Sequence, residues 1–157
     1  MTVKPIPDGY HTATPYLIIS GAAKALGFYK QAFGAEELVR MDAGGGMIAH
    51  AEIKIGDSMI MLADEHSEMG YKSPQSYGGS PVSVVLYVPD VDAVFKRAIA
   101  AGAKEMRPVA DQFYGDRIGT LADPFGHVWS IATHKEDVAP AEMKRRAAEM
   151  MKKHAKA

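Results

Sequence analysis

An internal duplication constrains this chain more than any other feature of its sequence. Residues 14–19 (TPYLII) form a β-branched and aromatic run that predicts a strand, and Ala22 to Phe33 follow with apolar side chains at helical spacing. Three further apolar runs, over residues 36–41, 47–55 and 58–63, predict strands that are separated by glycine-containing turns. The first half therefore predicts a strand, a helix and then three strands.

The second half repeats this pattern at a shift of 69 residues. Residues 82–88 predict a strand, Val91 to Ala101 predict an amphipathic helix, and Gly102 ends that helix as Gly34 ends the first one. The same shift places SMIMLA of the first half on HVWSIA of the second. Two βαβββ units side by side are expected to form a half-open, barrel-like sheet around a shared cavity. The predicted fold class is α+β.

The chain of 157 residues is predicted to form a single domain. The first repeat covers about residues 9–64 and the second about residues 81–134. Residues 65–80 between them are polar, rich in Gly and Ser and without periodicity, which indicates a linker or a mobile loop. Residues 138–155 predict an amphipathic C-terminal helix that packs on the body or across a dimer.

Composition narrows the functional classes. The formal net charge of -1 argues against a surface dedicated to nucleic acid, and the absence of cysteine excludes a disulfide framework, a thiolate metal site and a cysteine nucleophile. The N-terminal residues lack the apolar core of a secretion signal, and no stretch is apolar enough to span a membrane. We therefore expect a cytoplasmic protein without a nucleic-acid or membrane partner.

Several motifs, in order along the chain, resemble those of one known superfamily. They are AAKALGFYKQAFGAEEL, HAEIKIGDSMIML and DPFGHVWSIATH, set within the two repeats. Together they resemble the vicinal oxygen chelate superfamily, which contains glyoxalase I, the bleomycin-resistance proteins and the extradiol dioxygenases, and in particular its PhnB-like, glyoxalase-like branch. The resemblance covers about residues 9–143 and implies the two-repeat fold and a homodimer. It does not fix the chemistry, because members of the superfamily carry out different reactions or only bind drugs on the same scaffold.

The resemblance also implies where a divalent metal would be bound. Metal-dependent members take one His or Glu ligand from the first strand and one from the last strand of each repeat. Those positions fall here on Thr14, Met61, Ser83 and Ser130. Hydroxyls and a thioether supply neither the charge nor the basicity that such an ion needs, so no metal or other cofactor is predicted at these positions.

His50 and Glu52 leave a second interpretation open. Because alternate residues of a strand share one face, these two side chains could form part of a relocated metal site or act as a general acid and base. Either role would make the protein a glyoxalase-like lyase or isomerase, or a dioxygenase. The alternative is a hydrogen-bonded polar pair on the solvent-facing or dimer-facing side of the sheet.

Further candidate ligand-binding residues are aromatic or lie in the loop DQFYGDR. Tyr114 and Arg117 of that loop could form a rim, unless Asp116 and Arg117 pair to fix the turn. Tyr16 and Trp129 could line an apolar cavity, unless they belong to the core.

The leading hypothesis is a protein that binds a small, partly apolar organic molecule in the cavity between the repeats without a divalent metal. Its candidate ligand-binding residues are Thr14, Tyr16, Met61, Ser83, Tyr114, Arg117, Trp129 and Ser130. A weaker alternative is an interaction module that uses the Met-rich, basic tail. Whether the protein is an enzyme stays open at this point.

Overall fold

The computed structural model describes residues 3–154 of the chain, with side chains to residue 152. The first repeat consists of β1 (Tyr16–Ile19), α1 (Ala22–Phe33), β2 (Glu36–Gly44), β3 (Met47–Ile55) and β4 (Ser58–Asp64). These elements follow the predicted order, and β2 runs three residues further than its apolar run because it continues to the glycine turn.

The segment between the repeats is ordered by local hydrogen bonds. It contains a 3-10 turn at Ser67–Met69 and a short helix, α2 (Pro74–Tyr77). Ser73 caps α2 because its hydroxyl accepts a hydrogen bond from the Ser76 backbone N–H at 3.4 Å. The Glu65 carboxylate holds the same turn, accepting from the Ser73 backbone N–H at 2.9 Å. The segment that links the repeats thus contains two short helical turns, which are too short to show periodicity in the sequence.

The second repeat consists of β5 (Ser83–Tyr87), α3 (Val91–Ala100), β6 (Lys104–Asp111), β7 (Asp116–Ala122) and β8 (Val128–His134). The strands form two four-stranded sheets, in the orders β1-β4-β3-β2 and β5-β8-β7-β6. In each sheet the first strand is parallel to the last and the other neighbours are antiparallel. The predicted α+β fold with two βαβββ repeats and a C-terminal helix is confirmed.

The duplication extends to the register of the strands. Tyr16 pairs with Met61 across β1 and β4, and 69 residues later Val85 pairs with Ser130 across β5 and β8. In each repeat, a side chain of the last strand also caps the N-terminus of the helix. Asp64 accepts a hydrogen bond from the Ala22 backbone N–H, and 69 residues later Thr133 accepts one from Val91, both at 2.9 Å. The same shift therefore relates pairing and helix capping.

One hydrophobic core unites the two repeats around α1. This helix is buried on most of its circumference, because it contacts both its own sheet and the second repeat. Tyr29 and Phe33 of α1 pack on Trp129 of β8, with ring centroids 5.3 and 4.8 Å apart. The helices therefore cover one face of each sheet and leave the other face open.

The C-terminal helix, α4 (Pro140–His154), begins close to its predicted start, and predicted residue 155 lies outside the described residues. Arg146 attaches it to the second repeat through Glu136 at 2.8 Å and the Phe113 carbonyl at 3.4 Å. Within residues 3–154, every helix is too short or too polar to cross a membrane.

Candidate functional site

A groove of about 1010 Å³ lies between the two repeats. Residues 13–18 at β1 and residues 79–85 at β5 form its walls, and His127 and Lys72 contribute polar groups. Three of the predicted ligand-binding residues, Thr14, Tyr16 and Ser83, line it together. The groove is therefore where the structure brings the two repeats' predicted residues together.

Met61 and Ser130 lie one strand away from the groove, on the sheet faces that the helices leave open. Met61 is beside Tyr16 in the sheet and lines a depression of about 450 Å³ together with Thr14 and Glu52. Ser130 is beside Val85 and its hydroxyl lies 3.2 Å from that of Thr120. The role of these residues in ligand binding stays a prediction.

A chain of hydrogen bonds crosses the open face of the first sheet. The Tyr16 hydroxyl lies 2.8 Å from His50 Nδ1, and His50 Nε2 lies 3.1 Å from a Glu52 carboxylate oxygen. The other Glu52 oxygen accepts a hydrogen bond from the Tyr10 hydroxyl. Because an ionised carboxylate only accepts, His50 Nε2 is the donor to Glu52, and the tautomer with its proton on Nε2 accepts at Nδ1 from the Tyr16 hydroxyl. His50 and Glu52 therefore form a hydrogen-bonded pair, as the alternative interpretation expects.

These contacts shift the acidities of the residues involved. The hydrogen bond from Tyr10, then that from His50, lowers the pKa of Glu52, and the same Glu52 contact raises the pKa of Tyr10 to about 12. Burial, more than its charged neighbours, raises the pKa of Tyr16. Near neutral pH, Glu52 is thus an anionic carboxylate, and both of its oxygens accept hydrogen bonds.

A second polar chain lies at the end of the open face of the second sheet. The buried Asp116 carboxylate accepts a hydrogen bond from Tyr87 at 2.7 Å and lies 2.7 Å from His134 Nδ1. His134 Nε2 lies 3.0 Å from Asp137. The hydrogen bond to Asp116, then that to Asp137, raises the pKa of His134. His134 therefore joins β8 to the segment that leads into α4.

The loop residues Tyr114 and Arg117 lie away from the groove. Arg117 extends toward α3, where its Nε and a terminal nitrogen each donate to Asp92 at 2.8 Å and another nitrogen donates to Asp111 at 3.2 Å. Tyr114 packs edge-on against Phe113, with ring centroids 5.3 Å apart. Arg117 does fix this end of the second repeat, but it pairs with Asp92 and Asp111 instead of Asp116.

Trp129 is fully buried in the core, which corrects the prediction that it lines the cavity. Its indole N–H donates to the buried Asp123 carboxylate at 2.9 Å, on the helix-facing side of β8. The backbone N–H groups of Phe125 and His127 also donate to Asp123, each at 2.9 Å. Residues 123–127 thus form a turn that Asp123 organises just before β8.

Comparisons with known proteins agree with this architecture. Residues 10–131 match the sequence model of the Glyoxalase/Bleomycin resistance protein/Dioxygenase superfamily. The chain belongs to this superfamily. An uncharacterised protein of Mycobacterium bovis is 44% identical over 128 residues, which cover 80% of this chain and 84% of that protein.

Solved structures of other proteins have a similar fold. TioX from Micromonospora sp. ML1 is 26% identical with a TM-score of 0.62, over 82% of this chain and 100% of that one. A PhnB protein from Bacillus cereus is 22% identical with a TM-score of 0.58, over 78% and 99% of the two chains. At that identity the second likeness concerns the fold alone.

The donor chemistry of this superfamily member does not fit a divalent metal. The positions implied for its ligands carry two serines, a threonine and a methionine, which supply no charge. Among residues 3–152, whose side chains the structure describes, no three His, Asp or Glu side chains are grouped so that they could hold an ion. His50 and Glu52 would supply only two strong donors, and both Glu52 oxygens already accept hydrogen bonds.

Sequence reasoning missed the contacts that three of these residues make. Tyr10 reaches Glu52 from 42 positions away, and Asp116 reaches Tyr87 from 29 positions away, so neither contact has a local signal. Asp123 has one, because an aspartate before Pro-Phe-Gly is typical of a turn whose carboxylate accepts the N–H two residues on.

Proposed function

We propose that this protein binds a small, partly apolar organic molecule in the groove between the repeats, without a divalent metal. One observation carries the proposal: apolar side chains stay exposed where the two repeats meet. Tyr16, Val82 and Val85 line the groove and are 48%, 67% and 50% exposed. A groove of this size, mostly apolar with a few polar groups such as Lys72 and His127, is typical of a small-molecule site.

A dye titration tests the binding. The probe is 8-anilinonaphthalene-1-sulfonate, whose fluorescence rises in apolar sites, and the protein is treated with a chelator beforehand. Val85→Glu places a charge in the groove, so we expect dye affinity to fall about tenfold. Met106→Glu, at an exposed methionine of β6 outside the groove, is the matched control. Equal affinity in the two variants contradicts the proposed site.

Metal analysis tests the second part of the proposal. Protein purified without chelators should contain far less than one transition ion per chain. About one tightly held ion per chain would contradict metal-independent binding.

The hydrogen-bonded chain at Glu52 supports a second candidate function. His50 and Glu52 are held in place from both sides, by Tyr16 and Tyr10, as an acid and base pair requires. On this candidate the protein is a glyoxalase-like lyase or isomerase, or a dioxygenase, with a relocated site. Titration with Mn²⁺ tests its metal-dependent form: binding that disappears in the His50→Ala, Glu52→Ala double variant would favour it.

A further inference from the structure

Two unpaired strand edges face each other across the groove between the repeats. β1 and β5 are each the terminal strand of a four-stranded sheet, and each pairs on one side only. Within residues 3–154, no strand pairing joins β1 to β5. Because residues of both strands line the groove, their free edges are its walls.

The backbone hydrogen bonds of β1 identify the groups on its free edge. The carbonyls of Pro15 and Ile19 accept hydrogen bonds from β4 and the residue after it, at 2.9 and 2.8 Å. Since consecutive residues of a strand direct their backbone groups to opposite sides, Tyr16 and Ile18 direct theirs away from β4. His127 Nε2 lies 3.0 Å from the Ile18 carbonyl, which shows independently that this edge faces the second repeat.

The same reasoning applies to β5. The Val88 N–H donates to the Ala132 carbonyl at 2.8 Å, so the even-numbered residues bond to β8. Ser83, Val85 and Tyr87 therefore direct their N–H and carbonyl groups toward the free edge. Both walls of the groove thus present backbone donors and acceptors at every second residue, beside exposed apolar side chains, and one of these acceptors, the Ile18 carbonyl, is already contacted by His127.

We propose that the groove binds an extended peptide segment, which lies between β1 and β5 as an additional strand. This inference rests on the proposed function and names the chemical class of its ligand. An extended peptide carries N–H and carbonyl groups on each side at every second residue, about 6.6 Å apart, which is the repeat on both edges. Such strand addition to a free sheet edge is a general mode of peptide recognition.

The relative direction of the edges fixes how a segment is held. Ile18, at the end of β1, contacts His127, which precedes the β8 residue paired with Ser83 at the start of β5. The two edges therefore run antiparallel, so a bound segment is parallel to one and antiparallel to the other. Its side chains on one face would meet Tyr16 and Val85, which favours apolar residues at alternate positions.

Calorimetric titration with a synthetic peptide tests the inference. The probe is an acetylated and amidated pentapeptide, Val-Thr-Val-Thr-Val. A second peptide with N-methyl groups on residues 2 and 4 keeps the side chains but cannot donate to one edge. Loss of two hydrogen bonds should weaken binding about tenfold or more.

A variant of the protein removes the complementary group. Val85→Pro deletes an N–H that makes no bond to β8, and proline is tolerated on edge strands. Its melting temperature should stay near that of the parent while peptide affinity falls about tenfold. Val85→Thr keeps the N–H and the branched shape, and should bind the peptide within about twofold of the parent.

The outcomes separate this inference from the proposed function. Dye binding without peptide binding overturns the inference and leaves the proposed function standing, whereas absence of both overturns both. Equal affinity for the methylated and unmethylated peptides also overturns the inference. A further result would overturn it as well: the parent protein does not bind the peptide, and Val85→Pro turns a dimer into a monomer. In that case the free edge of β5 pairs with a second copy of the chain.

Discussion

Tyr29 donates a hydrogen bond of 2.7 Å to Asp123, and this contact ties the first repeat to the second inside the core. Tyr29 lies on α1, whereas Asp123 begins the turn before β8. Burial, with the charge of Asp123 adding to it, raises the pKa of Tyr29 well above its usual value, so the phenol stays a donor. Together with Trp129 and two backbone N–H groups, it satisfies a buried carboxylate entirely through neutral donors.

Replacing that carboxylate should destabilise the whole chain. Asp123→Asn puts an N–H donor where four donors converge, and we expect the free energy of unfolding to fall by about 3 kcal/mol. Urea denaturation followed by the fluorescence of Trp129 measures this change. The control is Asp57→Asn in the exposed turn between β3 and β4, expected within about 0.5 kcal/mol of the parent. Similar effects at both positions would contradict the role of Asp123.

The fold could be predicted because its determinants are local and occur twice. Apolar runs, helix periodicity and terminal glycines recur at one shift, and that shift also relates the Tyr16 and Met61 pair to Val85 and Ser130 in the structure. Placing Trp129 beside Ser130 in one cavity overlooked the alternation of a strand, because consecutive residues point to opposite faces. The side chain of Trp129 therefore lies in the core, and that of Ser130 lies on the open face.

Much of the candidate site could not be predicted because its contacts join distant residues. His50 and Glu52 were identified as a pair since they are two positions apart on one strand. Tyr10, which completes their hydrogen bonds, comes from an irregular segment whose path no periodicity reveals. The gap between β1 and β5 depends on how the two repeats pack at α1, and this too has no local signal.

Two glycines should respond to alanine in opposite directions. A Cβ at Gly119 of β7 would lie 2.7 Å from Val109 and 2.8 Å from the Phe95 ring, so Gly119→Ala should cost about 2 kcal/mol of unfolding free energy. Gly27 is exposed in the middle of α1, and a Cβ there meets nothing within 4 Å. Gly27→Ala should therefore stabilise the protein by about 0.7 kcal/mol. Thermal melts of the two variants decide both signs.

The hydrogen bond from Tyr10 to Glu52 should hold the N-terminal segment against the open face of the first sheet. Tyr10→Phe keeps the ring but removes the donor, so amide hydrogen exchange over residues 5–12 should become about fivefold faster. Lys4→Ala breaks the exposed ion pair with Asp8 and serves as the control, with little expected change. Unaltered exchange in Tyr10→Phe would show that other contacts hold the segment.

The homodimer expected from the family resemblance can be tested at β2. This strand is exposed along its whole length and presents Leu38, Val39 and Met41 to solvent. We expect light scattering to give twice the 16.9 kDa of one chain and Met41→Glu to shift the protein toward the monomer, because a charge at an apolar interface is costly. Met69→Glu, at a methionine of the 3-10 turn that is somewhat more exposed than Met41, should leave the mass unchanged. A monomer at every concentration would contradict the prediction.

His134 should make stability depend on pH from about 6.5 upward. Hydrogen bonds to Asp116 and then to Asp137 raise its pKa, so the ring binds a proton more tightly in the folded chain than in the unfolded one. This contribution is complete below the unfolded pKa of about 6.5 and is lost as the pH rises through the higher folded pKa. His134→Gln should therefore reduce stability more at pH 5.5 than at pH 9, as measured by urea denaturation at both values. Asp137→Asn removes only the exposed partner and should retain part of the pH dependence, since Asp116 still faces the ring. If the difference in unfolding free energy between the parent and His134→Gln is the same at both pH values, these contacts do not stabilise the protonated ring.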